Sequence, residues 1–303
     1  MRITANMTAN NSIYNLQKVQ TSLSKLTELT TSEQNINQPS DDPTATSTLL
    51  NINDTLNAIN QYSTNITNAT TVLSVTNAAL TGISDSIAQA KEVVASISSG
   101  SSDPSIRQSA YDQLATIKQQ IIDYGNTQSG STYVFGGTVT STPPFSSASN
   151  AYSGDSNQTK VEVTTNSFQT VNITGDRLLG GTGSNPSYGN TDILGTLDNL
   201  MTAIGNSATP SNAANIQLYS NALDNGATQV NNAQVDVAAR MKRLDNVSTM
   251  NTNNQNTLEG VVGNIQNVDL ATIGTELNQQ QTAYQAALSA TAQISKMSLL
   301  NYL

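Results

Sequence analysis

The chain contains no cysteine, no histidine and no tryptophan in its 303 residues. Without cysteine there is no disulfide framework and no thiolate chemistry. Without histidine the commonest general base and metal ligand is missing. Aromatic residues make up 4% and charged residues 11%. Compact enzymes fill their cores with large side chains, whereas long helices packed side by side need few. Lys and Arg number 12 against 21 Asp and Glu, a net charge of −9 with no basic run. Nucleic-acid affinity rests on phosphate neutralisation, so no nucleic-acid partner is expected. No window approaches the roughly 18 apolar residues of a membrane-spanning helix, so no membrane insertion is expected. Met1 to Asn6 hold no apolar signal core. Taken alone this suggests a cytoplasmic protein, although export by a machine reading another signal stays open.

What is present is a hydrophobic content of 36% spread thinly through Ser, Thr, Asn and Gln. Disorder is signalled by low hydrophobicity with high charge, and here the charge is absent. Leu16, Val19, Leu23 and Leu26 step by three and four, the stripe of a first helix from about Asn11 to Glu33. Gln38-Pro39-Ser40-Asp41-Asp42-Pro43 breaks it, with Asp42 as N-cap and Pro43 at the first position of a new helix. Ile52, Ile59, Ile66, Leu73, Leu80, Ile87 and Val94 then recur every seven residues, a coiled-coil-like seam closed near Gly100. Its companion positions turn polar at Ser63, Thr70, Asn77 and Ser84. Asp103-Pro104 starts another helix along Ala110, Leu114, Ile117, Ile121 and Tyr124, antiparallel to the last.

The character then changes. Tyr133-Val134-Phe135-Gly136-Gly137 reads as a strand and turn, and Lys160–Thr164 and Gln169–Ile173 alternate with the period of strands. Helix returns near Asp192 along Leu194, Leu197, Met201 and Ile204. A second seven-residue repeat follows: Ile216, Leu223, Val230, Val237, Leu244, Asn251, Leu258 and Ile265. Asn251 breaks it, so a kink or a partner contact is expected there. Asp269 caps a final helix along Leu270, Ile273, Leu277, Tyr284 and Ile294, ending in the apolar Met297–Leu303. Free termini usually fray into solvent, so an apolar tail suggests a partner.

The expected fold class is therefore mainly α with a small β insertion. Both chain ends form a long antiparallel helical bundle or coiled-coil-like rod, with an outer β-rich domain. The expected division is 1–40 with 268–303 as terminal helices, 41–137 with 190–267 as a helical rod, and 138–189 as the insertion. The two long repeats are expected to pair inside the subunit. The half-polar terminal stripes are expected to meet other subunits through Leu16, Leu23, Leu26, Leu270, Ile273, Leu277, Tyr284, Ile294, Leu299 and Leu300.

A search for chemistry finds little. Asp41-Asp42 can be read as a carboxylate or metal-ligand pair, but the flanking Pro39 and Pro43 explain both as a turn and helix cap. Gly180-Gly181-Thr182-Gly183 lacks the Lys-Ser/Thr and the strand–helix frame of a phosphate loop. Asp155-Ser156-Asn157 lacks a calcium loop's glycine and terminal Glu. Asn-x-Ser/Thr triplets such as Asn65-Ile66-Thr67 arise by chance in so much Asn and Thr. No catalytic residue, cofactor or metal is expected, and the chain is not read as an enzyme. An Asp-based hydrolase using Asp155 or Asp176, and a coiled-coil adhesin, are the readings from other classes.

Several motifs together resemble the flagellin-like axial proteins of the bacterial flagellum, on the side of their hook-associated, junction-forming members. They are the opening Met1-Arg2-Ile3-Thr4, the break Asn37–Ala45, and Tyr133–Gly137 followed by Thr142-Pro143-Pro144-Phe145. The helix segment Leu277–Ala286 and the ending Ser298–Leu303 complete the set. Flagellins proper usually carry an Asp-Asp-Ala break without flanking prolines, which leaves a filament subunit as the alternative. Residues 146–189 show little that matches. The resemblance implies a structural subunit that assembles as a ring with itself, between a hook-side junction protein and flagellin. It implies export through the flagellar type III apparatus without a cleaved signal. It also implies a cytoplasmic export chaperone at the C-terminal tail, and terminal helices that are disordered in the free subunit.

Overall fold

The computed structural model describes residues 5–97, 103–146, 150–180, 188–206 and 208–300, without the side chains of 5, 6, 8, 9 and 294–300. The opening Met1–Thr4, the helix end at Gly100, Gly181-Thr182-Gly183 and the final Asn301–Leu303 lie outside the described residues. So do the side chains of Ile294, Leu299 and Leu300.

Seven helices and four short strands are described. They are α1 (Ala5–Ser32), α2 (Pro43–Ile97), α3 (Pro104–Gly125), β1 (Gln128–Ser129), β2 (Thr132–Tyr133), β3 (Lys160–Thr164), β4 (Ser167–Thr170), α4 (Gly175–Leu178), α5 (Ile193–Ile204), α6 (Ala213–Gln266) and α7 (Leu270–Leu300). The fold is mainly α with a small β insertion. The caps work as the side chains dictate. Asp42 Oδ1 accepts from the amides of Thr44 and Ala45, both at 2.9 Å, just ahead of Pro43. Asp103 accepts from Ser105 N at 2.8 Å, Asp192 from Gly195 N at 2.8 Å, and Asp269 from Ala271 N at 3.0 Å.

The chain divides into two compact units, a terminal unit of 1–58 with 253–303 and a central unit of 59–252. These bounds differ from breaks at 40 and 268. Proline and aspartate interrupt the helix locally, but α2 and α6 run unbroken through 58/59 and 252/253. Full burial begins only at Ile59.

In the central unit the two seven-residue repeats form the core. Ile59, Ile66, Leu73, Leu80, Ile87 and Val94 are buried, as are Ile216, Leu223, Val230, Val237 and Leu244. Each such Leu or Ile contributes about 1.5–3 kcal/mol. Lys91 Nζ stands 2.5 Å from Asp224 and Gln234 Nε2 3.5 Å from Thr81 Oγ1, so α2 and α6 run antiparallel. The buried Thr76 and Ser86 hydroxyls donate to the carbonyls one turn back, at 2.8 Å each, so a polar position in the seam leaves no unpaired group. α3 lies across Gly82, where a Cβ would come within 2.5 Å of the Tyr124 ring. That contact carries Tyr124, which stays 40% exposed while Ala110, Leu114, Ile117 and Ile121 are buried.

The insertion holds less strand than its alternation suggests. β1–β2 and β3–β4 are separate two-stranded antiparallel pairs. Val134 and Phe135 are buried anchors beyond β2 rather than strand residues. β4 ends at Thr170 instead of reaching Ile173. The Asn172 side chain takes the Thr159 amide at 2.9 Å in place of a ladder bond, and the chain turns to bury Val171 and Ile173. Asn166, with φ of 58°, makes the tight β3–β4 turn.

Asn251 is the clearest departure. α6 runs unbroken across it. Asn251 is 2% exposed, and its Nδ2 donates to Val163 O at 3.1 Å. From α2, Asn65 Nδ2 donates to Glu162 O at 2.9 Å, so both long helices hold strand β3. Asn251→Ala should leave helix content unchanged but strand a buried carbonyl, at about 1–3 kcal/mol. A urea midpoint lowered at constant slope is the check.

A polar stripe on α6 fastens the rest of the insertion. Gln229 Nε2 donates to Leu178 O at 2.7 Å and Thr191 O at 3.0 Å, and Asn232 Nδ2 to Tyr188 O at 2.9 Å. Arg240 donates to both Asp236 oxygens, at 3.1 and 2.6 Å, and to Asn172 O at 2.9 Å. Tyr188 Oη donates to Asp236 at 2.5 Å. Burial first, and that hydrogen bond second, raise the Tyr188 pKa.

Candidate assembly surface

The terminal unit is built on one helix pair. α1 and α7 run antiparallel in close approach, with Gln280 Nε2 donating to Val19 O at 3.3 Å. Where the pair ends, Gln34 bridges to Asn267, and the Asn35 amide donates to Gln266 O at 2.7 Å. Thr, Ser and Gln allow this close approach because they are small or can bond the neighbouring backbone.

Leu16, Leu23 and Leu26 on α1 are half-buried, as are Ile273, Leu277 and Tyr284 on α7. These six residues form stripes at helical spacing on the two paired helices. Leu270 stands apart, 47% exposed. The pair is thin: among the described residues of the terminal unit, no side chain is fully buried. In the central unit the same repeat type buries residue after residue. Two helices of low apolar content cannot screen each other from water, so the seam is half a core.

Apolar side chains also stand outside the seam. Met7 is 56%, Tyr14 67% and Leu288 43% exposed. The stripe reading passed over them, although the seven-residue step from Met7 to Tyr14 marks a second face on α1.

Pro39, Asp41, Asp42 and Pro43 make the turn joining α1 to α2. Asp41 Oδ2 accepts from the amides of Asn37 at 3.1 Å and Gln38 at 3.0 Å, and Oδ1 from Lys25 Nζ at 3.0 Å. The Lys25 ammonium first, then the Gln38 and Asn37 amides, hold its carboxyl below the ordinary 3.8. A lowered folded pKa means the clasp is complete above about pH 4 and is lost as pH falls through the folded value. In assembled junctions the protection factors of the Asn37 and Gln38 amides, corrected for the intrinsic exchange rate, should therefore fall on acidification below about pH 4. Asp41→Asn should flatten that pH dependence.

Asp155 and Asp176 are held in local hydrogen-bond networks. Asp155 accepts from the amide and hydroxyl of Thr138 and from the amide and side chain of Asn157. The Thr138 hydroxyl, foremost, pulls its pKa down to about 2. Asp176 accepts from Ser156 Oγ at 2.5 Å. Among the described residues no three His, Cys, Asp or Glu side chains gather as a metal site. No described helix is long and apolar enough to cross a membrane.

The two chain ends thus pair as helices in the terminal unit, and the central unit carries the insertion. The bacterial flagellin N-terminal helical region matches residues 3–140, and the flagellin C-terminal helical region matches residues 220–303. The chain belongs to the flagellin family of bacterial axial proteins. Within it, the chain is similar to flagellar hook-associated protein 3 of Escherichia coli, at 24% identity over 99% of this chain and 98% of that one. The corresponding Salmonella typhimurium protein is 22% identical over 99% and 98%. A solved structure described as a flagellar hook-associated protein, from Vibrio parahaemolyticus, covers 75% of this chain and 100% of its own at 26% identity, with a TM-score of 0.66.

Proposed function

We infer that this chain is a structural subunit of the bacterial flagellum. It joins the hook-side junction protein to the flagellin filament by assembling through its terminal helices. The observation that carries this reading is the seam of α1 and α7, a helix pair that leaves its own apolar stripe half exposed. Full-length similarity to hook-associated protein 3 supports the junction over the filament.

The role is mechanical rather than catalytic. A ring of copies supplies the second half of the core that α1 and α7 lack. Flagellin and the hook-side protein supply the layers above and below. Leu16, Leu23, Leu26, Ile273, Leu277 and Tyr284 close the seam, and Leu270, Ile294, Leu299 and Leu300 extend the contact to neighbours. Export proceeds through the flagellar apparatus, and the absence of cysteine suits a chain that must pass unfolded. A cytoplasmic chaperone covers the apolar C-terminal tail before export. In the free subunit 1–40 and 268–303 are unstructured and fold on assembly, because the seam alone buries too little to offset chain entropy.

Immunogold microscopy of intact flagella with antibody to residues 138–189 tests the reading. A single label at the hook–filament boundary is expected. Label along the whole filament would make this a filament flagellin. Flagella without label would overturn the assignment.

A further inference from the structure

Charge is segregated on two helices of the central unit. Within that unit α2 and α3 carry four carboxylates, Asp85, Glu92, Asp112 and Asp123, and three cations, Lys91, Arg107 and Lys118. The cations are engaged elsewhere. Lys91 stands 2.5 Å from Asp224, Lys118 stands 2.6 Å from Asp198, and Arg107 donates to Asn206 O at 3.2 Å. All four carboxylates are exposed along the groove between α2 and α3. Among the described residues no cation lines that groove, and no Lys or Arg pairs with any of the four.

The groove has the shape of a trough for a rod. Its volume is about 980 Å3, and hollows of about 460 and 280 Å3 continue it at the two ends. On α3 it is flanked from Ser105 to Tyr124, about 29 Å at 1.5 Å per residue. On α2, Gly82 lies at the Tyr124 end and Ile97 at the Ile106 end. Val93 and Ile117 give it apolar wall between the carboxylates. Apolar side chains stand open at both ends, Ile106 at 50% and Tyr124 at 40% exposed.

We propose that this groove receives a helix of a second protein, about 20 residues long, basic along one face and apolar near its two ends. The site lies wholly in the central unit and is independent of assembly through the terminal helices. A third helix laid between two antiparallel ones packs at the ordinary spacing of about 8–10 Å. Lys and Arg stems lie along Val93 and Ile117 while their heads reach the carboxylates on either side. An Arg at the far end stacks on the exposed ring of Tyr124. A neutral or acidic helix fits the same trough but strips water from four carboxylates without offering them partners. A second copy of this chain is a poor match. Its one cluster of cations is Arg240, Lys242 and Arg243, of which Arg240 is buried and Lys242 already pairs with Asp245 at 2.8 Å.

A benzophenone amino acid in place of Gln113, which is exposed in the groove, reports the occupant in living cells. Irradiation should join it to a segment of another protein that holds at least three Lys or Arg on one helical face, read by mass spectrometry of the adduct. The yield should fall at least tenfold in Glu92→Gln with Asp112→Asn. It should hold in Asp54→Asn with Glu259→Gln, which removes the same charge elsewhere. Purified protein gives a second measurement, fluorescence anisotropy with a synthetic helical peptide of about 20 residues, lysine on one face and leucine on the other. The peptide should bind the wild type and the control variant alike, and the groove variant at least tenfold more weakly. Its counterpart with Glu in place of Lys should not bind. No adduct in cells, an adduct on a segment without a basic face, or equal peptide affinity for the groove and control variants would each overturn the proposal. An adduct on a second copy of this chain would make the groove a contact between copies and overturn it as well.

Discussion

Leu277→Asp is expected to abolish junction assembly and swimming while leaving the central unit folded as before. Leu277 lies half-buried in the α7 stripe that also holds Ile273 and Tyr284, on the helix whose partner is α1. A carboxylate there has no cation of α7 within 270–293 to meet, and assembly would bury it among apolar neighbours at a cost of several kcal/mol. Each copy in a ring would carry the same defect, so the cost multiplies with subunit number. The central core owes nothing to this position, and distant sites act independently within about 0.5 kcal/mol. The checks are motility in soft agar, filament counts by electron microscopy, and urea unfolding. Leu277→Met, which conserves volume, should swim normally. Full motility of Leu277→Asp would show that the seam is not needed for assembly.

The second large effect is on stability. Arg240→Ala should cost about 3 kcal/mol, because it removes a buried cation that holds a part-buried carboxylate and a buried carbonyl. Arg240 is 8% exposed, and it serves both Asp236 oxygens and the Asn172 carbonyl. Its loss leaves the Asp236 carboxylate without its partner and frees the segment around Tyr188, whose hydroxyl donates to that carboxylate. The unfolding midpoint should fall by roughly 6–12 °C, given about 2–4 °C per kcal/mol for a unit of this size. Lys cannot replace the planar fork at three acceptors, so Arg240→Lys should recover only part of the loss. Differential scanning calorimetry measures both. A shift under 1 °C for Arg240→Ala would mean that the network contributes little.

The two seven-residue repeats, the proline-flanked break and the aspartate caps were legible in the sequence because each depends on near neighbours along the chain. A Leu every seventh residue makes a seam wherever it lies, and Asp before Pro caps a helix whatever surrounds it. Ile59 to Val94 and Ile216 to Leu244 therefore became core where the repeat placed them. Family membership was legible for the same reason, since its motifs sit on these elements. The role of Asn251 was not legible. A polar residue in an apolar repeat can mean a kink, a partner or an internal hydrogen bond, and the position of the Val163 carbonyl decided among them.

By itself, then, the sequence determined the helical periodicity, the places where the helices stop, and the want of histidine and cysteine that removes most chemistry. Only the tertiary structure decided which polar groups satisfy one another. Asn65 and Asn251 hold β3, Gln229, Asn232 and Arg240 hold the loops after it, and Asp155 closes on Thr138 and Asn157. It also decided how much each stripe is covered, full in the central unit and half in the terminal pair. Periodicity is local and can be read from neighbours a few residues apart. Hydrogen-bond partners and burial depend on which distant segment arrives, and the chain order does not state that.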